Sequence, residues 1–354
     1  MEPVNVLVLS GGPSTERMVS LESGRMVSEH LDSERYHVVP AQISRQGLWY
    51  LAGELESDTH NMGTQEEAEA LLPFQKRPLL EVGRSIDRIL LGEEIDVAFI
   101  AMHGSYGEDG TIQGLLESFG VRYTGSGVCA SALAMDKVRS RHMFMQHHLS
   151  VPRWMTFDRN QWAGKSQDCL EAIRSRLGLP CVVKPSNQGS SIGVHLVQDA
   201  ASLEQAIVDT LSLARRVVIE EYVQGTEITC GVLEVSAQAK ALPIVEIVSQ
   251  RNFFDYEAKY DPRLNEEIVP ARIGEAVADS ASKAALKAHR ALGCAGFSRT
   301  DMIVVGETPI VLETNTIPGL TPVSLFPKAA AAANIEFSRL LDIMVEGALS
   351  DQSY

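Results

Sequence analysis

Polar side chains flank a predicted tight turn near the C-terminal end of the chain. Arg299 and Asp301 precede the turn residues 306–308, and Glu313 and Asn315 follow them. If those three turn residues form the loop of a hairpin, Asp301 pairs with Glu313 and Arg299 pairs with Asn315. All four side chains then project from one face of the hairpin, with directly opposed Cβ atoms ~5 Å apart.

This set of side chains could hold a divalent cation beside a reacting group. Two carboxylates and an amide oxygen are hard ligands suited to Mg²⁺. Arg299 could stabilise negative charge that develops next to the cation. Two alternatives stay open. The set could form a cross-strand salt bridge on a solvated face, and a two-residue loop would put Glu313 on the wrong face.

A glycine- and serine-rich segment follows a strand predicted at 179–183. It runs from Lys184 to position 193 and reads KPSNQGSSIG. Small residues leave backbone N–H groups free to approach phosphate oxygens, and the lysine adds a fixed cation. An ordinary flexible hairpin is the alternative. The segment is not a Walker A loop, because the one Gly-Lys-Ser, at 164–166, has Arg159 where that motif needs glycine.

Three further turns precede helices or follow strands. The glycine turn at 10–13 suits a dinucleotide fold, but Pro13 and Ser14 break the GxGxxG spacing and make an NAD-dependent enzyme a remote alternative. The loop at 317–324 offers backbone donors to an anion, although helix capping alone would explain Ser324. The loop at 103–110 follows a buried strand, where function concentrates in α/β sheets.

The elements that position these residues change character along the chain. Strands predicted at 4–9 and 97–101 alternate with a helix at 16–31, which favours a parallel α/β sheet. The polar segment 52–70 is predicted to be a peripheral insertion. Later elements include antiparallel strands; the further predictions are helices at 130–149, 200–214, 276–292, 324–333 and 337–349, and strands at 195–197, 217–220, 229–235, 242–248, 301–305 and 309–312.

Length and composition bound the class of protein. A chain of 354 residues suggests two or three domains, and 45% hydrophobic with 22% charged residues is ordinary for a globular protein. A net charge of −15 argues against a nucleic-acid partner. We expect no membrane association, since no apolar run approaches ~20 residues and no signal peptide is visible. Five scattered cysteines without a CxxC pair predict reduced thiols and a cytoplasmic protein.

Taken together and in order, these segments resemble the D-alanine–D-alanine ligase family of the ATP-grasp superfamily. The resemblance covers nearly the whole chain. Its motifs lie at 11–20, 103–110, 123–127, 135–137, 184–193, 254–260, 299–301 and 313–315.

The resemblance implies a mixed α/β (α+β) ATP-grasp fold. An N-terminal parallel α/β domain (1–125) would carry Glu16 and His103, and two antiparallel-sheet domains (126–223 and 224–354) would clamp ATP between them. It also implies cell-wall precursor synthesis from D-alanine and ATP in the cytoplasm, and a homodimer. Two Mg²⁺ ions, for which Mn²⁺ can substitute, would bind Asp301, Glu313 and Asn315. The residues implied to bind ATP are Lys137, Lys184, Ser191, Glu220, Glu221, Tyr222, Val223 and Glu227.

In the implied reaction, ATP converts the first D-alanine to an acyl phosphate, and the amine of the second then attacks it. Arg299 would stabilise the tetrahedral oxyanion, and residues 250–271 would form a lid that excludes water. The other implied roles belong to seven residues. Glu16, with His103 nearby, would anchor the ammonium of the first D-alanine, and Gly319 and Ser324 would hold the carboxylate of the second. Ser190 and Tyr260 would form a hydrogen-bonded triad with Glu16. Lys259 would reach the γ-phosphate.

Some positions depart from the family pattern, and rival activities stay open. Gln188 replaces a glutamate of some members, Ile317 stands where serine is common, and Pro13 is unusual in its turn. We expect these to tune affinity. The nearest rivals are D-Ala–D-Ser and D-Ala–D-lactate ligases of the same fold, and Tyr260 argues against lactate. A non-catalytic binding module is a further alternative.

Overall fold

The computed structural model describes residues 3–51, 79–92, 94–189, 192–249 and 265–350, which form three sheets. The first sheet has the order β3-β2-β1-β4-β5; β1, β2, β4 and β5 are parallel, and β3 is an antiparallel edge strand. This confirms the predicted parallel α/β sheet, whereas the predicted insertion at 52–70 lies outside the described residues. The elements are β1 (Val4–Gly11), α1 (Arg17–His30), β2 (Tyr36–Ile43), β3 (Trp49–Leu51), α2 (Leu79–Gly92), β4 (Val97–Ile100), α3 (Thr111–Ser118) and β5 (Arg122–Tyr123).

The second sheet is antiparallel and has the order β6-β9-β7-β8. Two helices, α4 and α5, precede it in the chain. The elements are α4 (Val128–Met135), α5 (Lys137–Gln146), β6 (Trp154–Asp158), α6 (Arg159–Arg176), β7 (Cys181–Pro185), β8 (His195–Val197), α7 (Ala200–Leu213) and β9 (Arg216–Glu221).

The single helix predicted at 130–149 is wrong, because Asp136 divides it. Asp136 has extended backbone angles, φ −86° and ψ 99°. Its carboxylate accepts hydrogen bonds from the backbone N–H groups of Val138 and Arg139, each at 3.0 Å. An aspartate that satisfies these otherwise unpaired N–H groups is a favoured helix N-cap. A new helix, α5, therefore starts at Lys137 and presents that side chain at its first turn.

The third sheet is also antiparallel, in the order β13-β12-β10-β14-β15, with β11 paired to β10. The second and third sheets confirm the two predicted antiparallel layers. The elements are β10 (Thr226–Val235), β11 (Gln238–Ala241), β12 (Val245–Ser249), β13 (Asn265–Ile268), α8 (Glu275–Leu292), β14 (Phe297–Val305), β15 (Thr308–Asn315), α9 (Leu325–Ala332) and α10 (Phe337–Ser350).

The hydrophobic cores do not follow the sheets one to one. Val8 of β1 shares a core with Phe326 of α9 and Leu340 of α10, so the first and third sheets are packed as neighbours. Phe144 of α5 lies in the core that α8 forms on the third sheet. The second sheet has a separate core with α6 and α7, which includes Ile207. None of the described helices combines the length and apolar character that a membrane crossing requires.

Candidate active site

A cleft of about 950 Å³ lies between the second and third sheets. Residues of β7 and β9 form one wall, and residues of β12, β14 and β15 form the other. The described residues that the sequence assigned to the nucleotide all line it: Lys137, Lys184, Glu220, Glu221, Tyr222, Val223 and Glu227. Arg299, Asp301 and Glu313 line the same cleft, so the structure brings the predicted cation site next to the predicted nucleotide site.

Lys184 stands on the second-sheet wall, at the end of β7. Its Nζ lies 2.8 Å from Oε1 of Glu220 on the neighbouring strand β9, and both side chains are buried. Burial lowers the pKa of Lys184, and the negative charge of Glu220 opposes that shift. Pairing with the carboxylate thus favours the charged form of a lysine that is otherwise cut off from water.

Lys137 reaches the cleft from the first turn of α5. Its Nζ lies 2.9 Å from Oε2 of Glu313 and donates to the backbone oxygen of Gln188 at 2.9 Å. Its backbone N–H donates to the carbonyl of Ser186 at 2.8 Å. The side chain thus joins the carboxylate on β15 to the glycine-rich loop after β7. A cation between these elements can meet an anionic group bound in the cleft.

The hairpin β14–β15 has the predicted pairing at its functional end. Asp301 pairs with Glu313 and Arg299 pairs with Asn315. The predicted three-residue loop is wrong, because Val305 pairs with Thr308 and leaves a loop of two residues. The register shifts between Met302, which pairs with Val311, and Asp301. The unpaired residue is Leu312, a β-bulge that returns Glu313 to the face of Asp301.

Asp301 accepts several hydrogen bonds on this face. It accepts from Arg299 through Nε at 2.9 Å and Nη2 at 2.8 Å, from Asn315 Nδ2 at 3.0 Å, and from Thr229 Oγ1 at 2.6 Å. Burial acts to lower the pKa of Arg299, but the charges of Asp301 and Glu313 outweigh burial and raise it. The set is thus a partly buried network, which contradicts the alternative of a solvated salt bridge.

The donor set on this face fits a magnesium ion that also contacts phosphate. Asp301, Glu313 and Asn315 supply hard oxygen atoms on neighbouring strands. In the described part of the chain, no group of three or more His, Cys, Asp or Glu side chains could hold a metal. Mg²⁺ is commonly held by only one or two carboxylates together with substrate phosphates, so two carboxylates facing a cleft suit it.

Glu16 lies where the three layers meet. It lines a small cavity of about 40 Å³ together with Gly189, in the loop after β7 of the second sheet, and Asn315 of the third sheet. A Cβ atom on Gly189 would come within 2.7 Å of Glu16 Oε2, and one on Gly104 within 2.5 Å. Glycine at both positions therefore lets two loops close over this carboxylate.

His103 is buried and uses both ring nitrogens. Nδ1 donates to the carbonyl of Ile317 at 3.0 Å, and Nε2 lies 2.9 Å from Ser23 Oγ. Ser23 Oγ in turn lies 3.4 Å from the backbone N–H of Leu320. Glu108 accepts from the N–H of Ile317 at 3.2 Å. The first sheet therefore holds the backbone of the 317–320 loop.

Neither the contact made by Ser23 nor a specific role for Glu108 within its motif was predicted from the sequence. Glu108 is buried and also accepts from the N–H of Gly104 at 2.7 Å. The sequence did contain one indication for Glu108: it lies in the loop after a buried strand, where functional residues concentrate in α/β sheets. Ser23 had no comparable signal, because its partners lie far away in the sequence.

Gly319 and Ser324 lie together before α9. A Cβ atom on Gly319 would come within 3.0 Å of Ser324 Oγ, so glycine keeps the space above that hydroxyl open. The Ser324 side chain does not cap α9, contrary to the simpler alternative. It contacts Thr321 Oγ1 at 2.8 Å instead. Four predicted site residues, Ser190, Ser191, Lys259 and Tyr260, lie outside the described residues, as does most of the predicted lid.

Comparison with known proteins agrees with this geometry. Residues 5–126 match the family model described as D-ala D-ala ligase N-terminus, and residues 143–346 match the model described as D-ala D-ala ligase C-terminus. A D-alanine–D-alanine ligase of Syntrophobacter fumaroxidans is 44% identical over 352 residues, covering 99% of each chain. One of Desulforudis audaxviator is 42% identical over 339 residues, covering 96% of each chain.

Solved structures give the same result. The D-alanine–D-alanine ligase of Bacillus anthracis complexed with ATP has a TM-score of 0.74 at 30% identity, covering 98% of this chain and 97% of that one. The VanG D-Ala:D-Ser ligase of Enterococcus faecalis has a TM-score of 0.77 at 30% identity, covering 98% of this chain and 99% of that one. With both family models matched in order and full-length relatives above 40% identity, the chain belongs to the D-alanine–D-alanine ligase family.

Proposed function

We propose that this protein ligates two D-alanines to D-alanyl-D-alanine, using ATP and an acyl phosphate intermediate. The observation that carries the proposal is the cleft itself. It sets Lys137 and Lys184 close to the carboxylate pair Asp301 and Glu313, with Arg299 beside them. Cations and hard oxygen ligands that converge on one cleft are what phosphoryl transfer requires, since its catalysis is mainly positioning and charge stabilisation.

The nucleotide would lie along the second-sheet wall. In this proposal the backbone at 220–223 lines the adenine, Glu227 holds the ribose, and Lys137, Lys184 and Ser191 meet the phosphates. The buried side chain of Glu220 is paired with Lys184, which supports a contact to the base through backbone groups. Asp301, Glu313 and Asn315 would hold Mg²⁺, or Mn²⁺ in its place, and the ions would neutralise charge on the transferring phosphoryl group.

The first D-alanine would bind where the three layers meet. Glu16 would anchor the ammonium group of this D-alanine, and the carboxylate of the D-alanine would then face the phosphates. Lys259 would reach the γ-phosphate, while Ser190 and Tyr260 would join Glu16 across the closing loop. The acyl phosphate formed in this way hydrolyses readily, so the lid segment 250–271 would exclude water.

The second D-alanine would bind at the 317–324 loop, with its carboxylate at Gly319 and Ser324. His103 would act on this loop, because its Nδ1 holds the carbonyl of Ile317. After attack by the amine, the guanidinium of Arg299 would stabilise the oxyanion before phosphate leaves. We further propose domain boundaries at 1–125, 126–223 and 224–354, a cytoplasmic homodimer, and a place in peptidoglycan precursor synthesis.

A single assay tests the proposal and its nearest rival. Phosphate release is measured with ATP, Mg²⁺ and each of D-alanine, D-serine and D-lactate, and the products are identified by mass. We expect D-alanyl-D-alanine as the main product. A mixed D-Ala–D-Ser product would favour a D-Ala–D-Ser ligase instead. The similarity to the VanG D-Ala:D-Ser ligase makes that activity the one to test against. Absence of ATP hydrolysis with any of them would reject the proposal.

We expect Lys184→Ala to weaken ATP binding about 10- to 150-fold and to slow turnover. The lost charge-assisted contact is worth about 1.5–3 kcal/mol, and each 1.4 kcal/mol is about tenfold. Binding can be followed by equilibrium fluorescence titration with a nucleotide analogue. Lys240→Ala, at an exposed position of β11, serves as the control. ATP affinity equal to wild type in the folded variant would remove Lys184 from the nucleotide site.

Ser23→Ala is expected to raise the KM for the second D-alanine while leaving the KM for ATP unchanged, because it removes one of the contacts that hold the 317–320 loop, the one to Leu320. The matched control is Ser20→Ala on the same helix. Ser20 is equally buried and bonds Gly11 N–H and the Ala101 carbonyl, both within the first sheet. Both variants should lose about 1 kcal/mol of stability. An equal rise of KM in both would assign Ser23 a purely structural role.

A further inference from the structure

Arg141 is a fully buried cation on α5 to which the preceding mechanism gives no role. Its side chain is 0% exposed. It follows Lys137 by four residues, so both side chains lie on one face of the helix. Within the described part of the chain, its Nε and Nη1 have no hydrogen-bond partner. Buried polar groups nearly always have hydrogen-bond partners, and a buried cation that lacks some of them stabilises the fold poorly. The contacts that Arg141 does make therefore call for another explanation than stability.

One of those contacts is to the β-bulge of the cation-binding hairpin. Arg141 Nη2 donates to the carbonyl of Leu312 at 3.2 Å. Leu312 is the extra residue of β15, which carries Glu313 back to the face of Asp301. A bulged residue is left out of the ladder, so it needs another partner to fix its orientation. Arg141 supplies that partner from outside the sheet.

The helix face holds two successive residues of β15. Arg141 binds the carbonyl of Leu312, and Lys137, one turn earlier, lies 2.9 Å from Oε2 of Glu313. The helix is itself fixed to the third sheet through Phe144 in the core under α8. Position and direction of Glu313 are therefore both set from α5.

The second contact of Arg141 crosses the cleft. The same Nη2 lies 2.5 Å from Oε1 of Glu220 on β9, and that oxygen also pairs with Lys184 at 2.8 Å. Since β9 belongs to the second sheet, Arg141 links the two walls of the clamp at the point where the nucleotide and the cation sites meet. Glu220 would keep Lys184 as a partner if Arg141 were replaced, so the replacement leaves no unpaired buried charge there.

We propose that Arg141 is a positioning residue that holds the Leu312 bulge and so keeps Glu313 opposite Asp301 for cation binding. The role of Arg141 in cation binding rests on the proposed function. Its role in holding the Leu312 bulge does not, because it depends only on the hairpin.

Amide hydrogen exchange tests the bulge directly. In Arg141→Met, amides of 308–315 should exchange several-fold faster than in wild type, while those of α8 keep wild-type rates. The matched control is Arg139→Met on the same helix, whose side chain is 64% exposed and pairs with Asp136. It should leave 308–315 unchanged. Wild-type exchange of 308–315 in folded Arg141→Met would overturn the proposal.

Binding of Mn²⁺ to the ADP complex, followed by electron paramagnetic resonance, tests the consequence without turnover. We expect Arg141→Met to bind Mn²⁺ about 10- to 100-fold more weakly, as for loss of a group that orients a metal ligand. ADP affinity measured in EDTA should stay within about threefold. Unchanged Mn²⁺ affinity, or a loss confined to ADP, would overturn the proposal, because Arg141 would then act through Glu220 alone.

A second variant covers the case in which Arg141→Met does not fold. Arg141→Lys keeps a positive charge near Glu220, but its side chain is one bond shorter. The hydrogen bond to Leu312, already at 3.2 Å, should be lost, whereas the ion pair with Glu220, at 2.5 Å, is lengthened but keeps its charge attraction. Exchange in 308–315 should again rise, and wild-type exchange would count against the proposal. The Arg141 variants could exchange faster while the wild-type protein forms no dipeptide. That result would support the role of Arg141 at the bulge and reject the proposed function.

Discussion

Arg299→Met should lower kcat about 10²- to 10³-fold, the loss expected when one donor to a developing oxyanion is removed. Arg299 is buried beside the cation face, and two of its nitrogens bind Asp301 in a fixed orientation. Its charge is therefore directed before substrate arrives, and methionine keeps the bulk of the side chain without the donors. The KM for ATP should change less than about threefold, since in the proposed binding mode the nucleotide would lie mainly on the other wall.

The measurement is steady-state phosphate release with D-alanine and ATP at saturating Mg²⁺, together with thermal unfolding. Arg25→Met, which removes an exposed arginine of α1 paired with Glu22 and Glu29, is the control and should match wild type. A kcat within threefold of wild type for Arg299→Met would show that the guanidinium only holds Asp301.

Asp301→Asn and Glu313→Gln are each expected to raise the Mg²⁺ concentration for half-maximal activity and to lower kcat roughly 100-fold, because the cation contributes several kcal/mol to charge stabilisation. Each substitution keeps the size of the side chain and removes one ligand charge. Both variants should still fold, but Asp301→Asn should lower the unfolding temperature, because it removes the charged partner of the buried Arg299.

Mg²⁺ titrations at saturating ATP and D-alanine measure this effect. Glu307→Gln is a matched control, since it removes an exposed carboxylate from the turn of the same hairpin. Wild-type activity of both site variants at limiting Mg²⁺ would mean that Asp301 and Glu313 serve only as partners of Arg299 and Lys137.

The hairpin shows how far a sequence can predict such a site and where it stops. Alternation along two strands correctly placed Asp301 opposite Glu313 and Arg299 opposite Asn315. The loop length assumed for that register was wrong, and the Leu312 bulge restored the pairing. A bulge depends on contacts from outside the strand, here from α5, so the local pattern contained no sign of it.

Helices were predictable where their pattern was uninterrupted. The helix predicted at 276–292 matches α8, whereas α6 was missed altogether. Lys165, inside α6, has non-helical angles of φ −148° and ψ 41°, which interrupts the regular spacing of buried positions. The break at Asp136 was visible in principle, since aspartate is a favoured N-cap residue at the start of a helix.

Contacts between residues that lie far apart in the sequence could not be predicted from it. Ser23 lies 297 positions from its partner Leu320, and Arg141 lies 171 positions from Leu312. A buried serine or a helical arginine has many possible partners, and only the packing of the layers selects one. The resemblance proposes residues that would contact ligands, and the structure adds side chains, such as Ser23 and Arg141, that contact the segments carrying them.

Because of the bulge at Leu312, the turn of the hairpin and the orientation of Glu313 are independent of each other. Because the register is set once at the turn and again at the bulge, the turn does not determine where Glu313 points. Gly306 and Glu307 are exposed, and about five residues of strand place them roughly 15 Å from Asp301. A short peptide tag or a fluorescent-label loop inserted between these two residues should therefore leave the carboxylate pair in place, which makes this turn an attachment point for reporter groups.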